Sequence, residues 1–244
     1  MNQTFHFKQF SIHQDRCPMK VGTDGVLLGA WPTVYPNTSV LDIGTGTGLI
    51  ALMLAQKEAT SQVVGVEIDE IAAIQATENV NNSPFADRVQ IKAVGVQEFC
   101  ESNTDKFDLI VSNPPFFTGG VLSDNMERMQ VRHTIKLSHQ DLLRSVQQLL
   151  KNKGRFCVIL PWLEGLRFQE LAEEYRLITI KKYMISPRPN RSPNRLLIEM
   201  HLCAQYVDRQ KMAPAEILKM SIYANVKGEE RSDEFINMTK AYYL

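Results

Sequence analysis

The chain has 244 residues, 44% hydrophobic and 22% charged, ordinary for a globular protein with a sizeable core. Its 27 basic and 27 acidic residues cancel, so no global field draws it to nucleic acid or an anionic membrane. Any polyanion site has to be a local patch. The opening MNQTFHFKQF lacks an apolar signal core, and no apolar run approaches the ~18 residues of a membrane span. Cys17, Cys100, Cys157 and Cys203 lie far apart, with no C-x-x-C pair. These features predict a cytoplasmic protein with reduced thiols, no membrane association, no disulfide framework and no metal.

From about residue 38 apolar, β-branched runs alternate with helical patterns. Ser39–Ile43 reads as a strand, Leu49–Lys57 as a helix, Gln62–Val66 as a strand and Glu70–Asn82 as a helix. Val89–Val94, Phe107–Val111 and Phe156–Leu160 read as further strands. Between the last two, Gln140–Leu150 carries Leu142, Leu143, Val146, Leu149 and Leu150 at helical spacing, with Ser138 as N-cap and Gly154 in the turn beyond. Strands that alternate with helices predict βαβ units, a mostly parallel sheet and ligands at the strands' carboxyl ends. A helix near Glu164–Glu174 then precedes two strand-like runs, Leu177–Ile185 and Arg195–Cys203. The loop between them is short enough for a hairpin, so the seven-stranded sheet should end with an antiparallel strand. One domain is expected: a flanking segment over 1–36, a core over 37–205 and a helical extension over 206–244.

Leu41-Asp42-Ile43-Gly44-Thr45-Gly46-Thr47-Gly48 ends the first strand and opens a helix. Its glycines let the backbone approach a ligand closely. The dinucleotide fingerprint is met only loosely, by Gly46-Thr47-Gly48-Leu49-Ile50-Ala51. Glu67 ends the second strand about 20 positions on, where a carboxylate can hold both ribose hydroxyls of an adenosine-containing cofactor. Alone it reads equally as a solvated strand end; behind the glycine turn, nucleoside binding leads. NAD and S-adenosylmethionine both carry that ribose. Asp42 favours the second, because a carboxylate opposes a pyrophosphate but suits a sulfonium and an ammonium. An Asp that merely braces the turn would serve either cofactor.

Asn113-Pro114-Pro115-Phe116 follows the fourth strand, beside the first strand in a doubly wound sheet. A planar amine such as adenine's is a poor nucleophile, because its lone pair is delocalised into the ring. The Asn113 carboxamide oxygen and the Pro114 carbonyl can each accept one of its N–H bonds, favouring a tetrahedral nitrogen aimed at a methyl donor. The consecutive prolines, Pro114 and Pro115, stiffen the turn, and Phe116 can stack on the base. From Arg176 to Arg195 there are six basic residues, including Arg188 and Arg191, and no acidic one. By itself this reads as a solvated hairpin. Beside a base-modifying site it becomes a candidate phosphate-binding edge, extended by Lys20, Arg128, Arg132 and His133.

D-x-G-x-G-x-G, the acidic turn Glu67-Ile68-Asp69 and N-P-P-F together resemble the class I methyltransferases that act on exocyclic amine or amide nitrogens. The segment Lys20-Val21-Gly22-Thr23-Asp24-Gly25-Val26-Leu27-Leu28-Gly29-Ala30-Trp31, with N-P-P-F-F and Arg132-His133, is similar to the bacterial tRNA1(Val) (adenine-37-N6)-methyltransferase family. The resemblance spans essentially the whole chain, to Tyr242-Tyr243-Leu244. It implies a Rossmann-like α/β fold with helices on both faces, S-adenosylmethionine as donor and tRNA as substrate; no obligate protein partner is inferred. It places Gly44, Gly46 and Gly48 against the donor, Asp42 near its methionine part and Glu67 on its ribose. Lys20, Thr23 and Asp24 would cover the cofactor; Asn113 and Pro114 would orient the amine, and Phe116 would stack on the base. One departure matters: where such enzymes often carry an adenine-binding Asp, this chain has Gly95. That contact falls to the Val96 backbone or to Gln97. Related N-P-P-F enzymes acting on guanine N2 of rRNA or on a protein glutamine amide use the same Asn–Pro geometry.

Overall fold

In a computed structural model the described residues are 4–115, 137–203 and 213–243. Phe116, Arg128, Arg132 and His133 lie outside them. Two short strands, β1 (Thr4–His6) and β2 (Ser11–His13), pair as a hairpin, and α1 (Thr23–Ala30) follows. The core runs β3 (Ser39–Ile43), α2 (Leu49–Lys57), β4 (Gln62–Glu67), α3 (Glu70–Asn81), β5 (Val89–Ala93), α4 (Val96–Ser102) and β6 (Phe107–Ser112). It continues through α5 (His139–Leu149), β7 (Leu150–Pro161), α6 (Trp162–Glu174), β8 (Leu177–Ser186) and β9 (Arg195–Leu202), then β10 (Glu216–Ser221) and α7 (Asp233–Thr239).

Among the described residues the sheet has eight strands in the order β10-β8-β9-β7-β6-β3-β4-β5, one more than the seven expected. β9 is the antiparallel strand that the hairpin called for, but it sits between β7 and β8 rather than at the edge. The edge belongs to β10, parallel to β8. The extension expected to be helical therefore carries a strand as well as the short α7. Gly154 also differs from expectation. It lies within β7, where pairing with β6 jumps from Phe107↔Leu150 to Leu109↔Arg155 and residues 151–154 are looped out.

Alternation along the strands builds two apolar layers. Val40 faces the layer with α2, whereas Leu41 and Ile43 face the layer with α5. α5 forms as its spacing predicted: the Ser138 hydroxyl accepts from the Asp141 N–H at 3.0 Å, and Leu142, Leu143, Val146 and Leu149 are buried. α2 is buried along nearly its whole length, from Leu49 to Ala55, so its outer side needs a cover. α1 supplies one. A Cβ at Gly29 would stand 2.6 Å from Met53 Sδ, so only glycine allows this approach. The carboxyl-terminal tail supplies the rest, with the buried Tyr242 hydroxyl donating to Met53 O at 3.1 Å. All four cysteines are free thiols, three of them buried. Among the described residues no helix is long and apolar enough to cross a membrane.

Candidate active site

β3 and β6 are parallel neighbours, and their last paired residues are Ile43 and Ser112. The chain leaves β3 into the glycine turn at Gly44 and leaves β6 into Asn113, so register alone puts the two motifs side by side. The buried Ser112 hydroxyl donates to Ile43 O at 2.9 Å and locks those two strand ends together. β4 clamps the turn from its other flank, with Val66 O accepting from the N–H groups of Gly44 and Thr45.

Gly44, Gly46 and Gly48 have φ of 71°, 56° and 81°, left-handed conformations that glycine adopts without strain. A Cβ at Gly44 or Gly46 would meet nothing within 4 Å, so open space lies above the turn. Gly65 serves by a different route: a Cβ there would collide with the Thr45 side chain at 2.9 Å. Its absence leaves room for the Thr45 hydroxyl to donate to Asp42 Oδ2 at 2.7 Å.

Asp42 is fully buried, yet its Oδ1 has no hydrogen-bond partner among the described residues. Burial pushes its carboxyl up to about 7, against the lowering effect of Thr45 and the Ala51 N–H, and Glu67 raises it further. A buried carboxylate oxygen left without a partner is costly, and a cationic or N–H-bearing ligand would relieve it. Asn113 presents a second such atom. Its Oδ1 is buried without a partner among the described residues, Pro114 beside it is buried, and Pro115 is exposed.

Glu67 is half-buried and holds the site together as it stands: Oε2 accepts from the Gly46 N–H at 2.9 Å and Oε1 from the Asp69 N–H at 3.0 Å. A carboxylate has about four acceptor positions, so two remain for hydroxyl donors. Val96 is buried at the start of α4. Gly95 before it is extended, at φ −67°, and a Cβ there would approach Ile68 Cδ1 at 3.3 Å. Asp24 stands in the first turn of α1. Its Oδ2 accepts from Arg195 Nε at 2.8 Å, tying α1 to the start of β9. Thr23 opens α1, and Lys20 is exposed on the approach to it.

Several site-building residues carried no sequence motif. Asn79 on α3 donates to Thr47 O in the glycine turn and exchanges bonds with the His13 backbone, while Gln75 accepts from the Arg16 N–H and donates to the Asp15 carboxylate. Together they hold the amino-terminal segment over the turn. The signal was there: both are polar residues on the stripe of α3 that buries Ala72, Ala76 and Val80. That segment brings Cys17 in, its thiol pushed up to about 12 by burial and by the nearby Glu67 and Asp69 carboxylates.

The basic stretch divides. Lys181 pairs with Glu216, Arg195 with Asp24, and Arg176 lies before β8, toward the amino ends of the sheet's parallel strands. Arg188 and Arg191 stand in the β8–β9 turn, at the same end of the sheet as Asn113. They lie three strands away, about 14 Å by ordinary strand spacing. The Arg188 guanidinium lies across Gly228, and Arg191 is exposed. Among the described residues there is no group of three or more potential metal ligands.

A family model described as a methyltransferase domain matches residues 35–221. A tRNA1(Val) (adenine(37)-N6)-methyltransferase from Bacteroides thetaiotaomicron is 40% identical over 245 residues, covering 100% of this chain and 98% of the relative. Its counterpart from Trichodesmium erythraeum is 43% identical, covering 98% of this chain and 97% of the relative. Among solved structures, the T. thermophilus 16S rRNA N2 G1207 methyltransferase, in complex with AdoMet and guanosine, superimposes with a TM-score of 0.56. It is 22% identical, over 81% of this chain and 49% of that one, a likeness of fold. At this identity over nearly the full length of both relatives, the chain belongs to the tRNA1(Val) (adenine(37)-N6)-methyltransferase family.

Proposed function

We propose that this protein transfers the methyl group of S-adenosylmethionine to the exocyclic N6 of adenosine-37 in the anticodon loop of tRNA1(Val). The observation that carries this reading is the Asn113 carboxamide oxygen. It is buried and unpartnered among the described residues, one step beyond the strand that abuts the glycine turn. Family membership narrows the acceptor to adenine in tRNA.

The residues fit the donor. Open space above Gly44 and Gly46 admits it, the spare Asp42 oxygen suits its positive charge, and Glu67 has acceptor positions left for ribose hydroxyls. Val96, at the amino end of α4, offers backbone to its adenine. When bound, the donor supplies an electrophilic methyl group on a sulfonium. The acceptor base enters flipped from its loop, where unstacking costs little. Asn113 Oδ1 and the Pro114 carbonyl accept its two N–H bonds, drawing the nitrogen's lone pair out of the ring and holding it in line. The prolines keep these acceptors rigid, so catalysis rests on orientation and preorganised dipoles rather than on a strong base. The Arg188–Arg191 turn meets phosphates of the same loop.

Incubating the protein with methyl-labelled donor and separate pools of tRNA, rRNA and protein tests this. N6-methyladenosine at position 37 of tRNA, identified by mass spectrometry of nuclease fragments, is the expected product. N2-methylguanosine in rRNA or methylglutamine in protein would overturn it.

A further inference from the structure

The β1–β2 hairpin and α7 meet along a groove of about 600 Å³ that the site does not use. Half-buried Phe5 and Tyr243 form its floor, with ring centroids 6.2 Å apart, and Ile236 is 48% exposed on one wall. Three cations border it: exposed Lys8, Arg231 and Lys240. None of its described walls is a carboxylate, although Asp233 and Glu234 stand on the same helix. An apolar floor rimmed by one sign of charge suits a ligand with flat apolar faces and a polyanionic backbone.

Position supplies the occupant. β10 ends level with β8, since Ser221 pairs with Ser186, so the loop after it lies at Asn113's end of the sheet. There Arg188 reaches over Gly228, and Tyr223 bridges to Arg231, whose guanidinium sits 4.4 Å over the Tyr223 ring. Arg231 in turn heads the groove, which α7 carries down the α1 side of the fold to Lys240 and Lys8. Arg188, Arg231, Lys240 and Lys8 thus form a broken series of cations from the strand ends to a groove well away from them, with exposed Glu229 and Glu230 beside Arg231.

We propose that this groove is a second tRNA-binding surface, holding nucleotides of the substrate outside the anticodon loop. The proposal rests on the reading of the protein as a tRNA methyltransferase. Two long-range contacts would then select a whole tRNA over a free loop, because a single-stranded adenine alone engages only the first.

The test uses the full chain, with wild type first shown to methylate tRNA; if it does not, the functional reading fails rather than this one. Lys8→Glu with Lys240→Glu should weaken tRNA binding at least about tenfold. It should also flatten the dependence of log affinity on log salt by roughly one to two units. Affinity for S-adenosylmethionine should be unaltered, and hydroxyl-radical protection should disappear from a tRNA segment outside the anticodon loop. The milder pair Lys8→Gln and Lys240→Gln, checked by thermal melting, gives the same direction if folding of the first pair suffers. Wild-type affinity, salt slope and footprint in a folded double variant would overturn the proposal. So would loss of binding to anionic vesicles while tRNA binding stayed intact.

Discussion

At the amino ends of the strands a cleft of about 710 Å³ is walled by Asp108, Lys151, Arg155, Glu199 and His201, and its charges are largely satisfied within the fold. Asp108 Oδ2 takes bonds from the Ser39 N–H, the Ser39 hydroxyl and Lys151. Burial pushes the Asp108 carboxyl up, but those bonds outweigh it and hold it below the ordinary carboxylate value. Arg155 pairs with Glu199 at 3.6 Å, donates to Thr33 O and lies over the Tyr35 ring. His201 Nε2 alone has no partner among the described residues, and burial lowers its pKa toward the neutral ring. At the carboxyl ends the pattern reverses. There a carboxylate oxygen and a carboxamide oxygen are buried close to the open space above the glycine turn, with no donor among the described residues. Unsatisfied polar capacity distinguishes the two ends, because folding tolerates that cost where a ligand repays it.

The variant with the largest expected effect sharpens this contrast. Asn113→Ala removes one preorganised acceptor and should cut the single-turnover methyl-transfer rate about a hundredfold to a thousandfold. Binding of donor and of tRNA should change little, since the bond strengthens as the nitrogen becomes tetrahedral. Asn113→Asp keeps an oxygen in place and should retain more activity. A rate for Asn113→Ala within a few-fold of wild type would remove the carboxamide from the chemistry.

Glu67→Ala should come next, raising the dissociation constant for S-adenosylmethionine at least about tenfold by calorimetry. The loss has two sources here, the ribose contacts and the bonds that Glu67 makes to the Gly46 and Asp69 N–H groups. Affinity for tRNA should hold. Replacing Arg188 and Arg191 together by Ala should do the converse, leaving donor affinity alone and making tRNA binding less steeply salt-dependent.

The opposite end provides the control. Lys151→Ala breaks a half-exposed ion pair with Asp108. It should cost about 0.2–1 kcal/mol by chemical denaturation and leave methyl transfer at the wild-type rate. A large loss of activity would mean that the paired end is also part of the machinery.

The parallel core was legible because its strands bury both faces and α3 and α5 bury one, which leaves unbroken apolar runs and 3.6-residue stripes. The additions were not. α1 carries Gly25 and Gly29, poor helix formers, and its packing on Met53 is invisible to a local pattern. β1 and β2 have three residues each, and β10 exposes Ile217, so docking rather than propensity settles them. The site divides the same way. Asp42, Glu67 and Asn113 stand at strand ends and could be read from spacing. Ser112, Gly65 and Asn79 matter through partners far off in the chain, as Asp24 does through Arg195, 171 residues away.

The claim that polar capacity at the carboxyl end is kept for the ligand is tested most directly at Asp42. Its carboxyl is raised to about 7 in the fold against 3.8 ordinarily, so between those values the folded state holds the proton more tightly than the unfolded chain. Stability is therefore lost as pH rises through that window, and above it the fold carries a buried charge. Asp42→Asn keeps an acceptor for Thr45 and removes the charge. The measurement is stability at pH 8 together with S-adenosylmethionine affinity for the same variant. The account predicts a fold more stable by on the order of 1–4 kcal/mol and a donor bound at least about tenfold more weakly. A variant that loses stability at pH 8, or binds the donor as tightly as wild type, would contradict it.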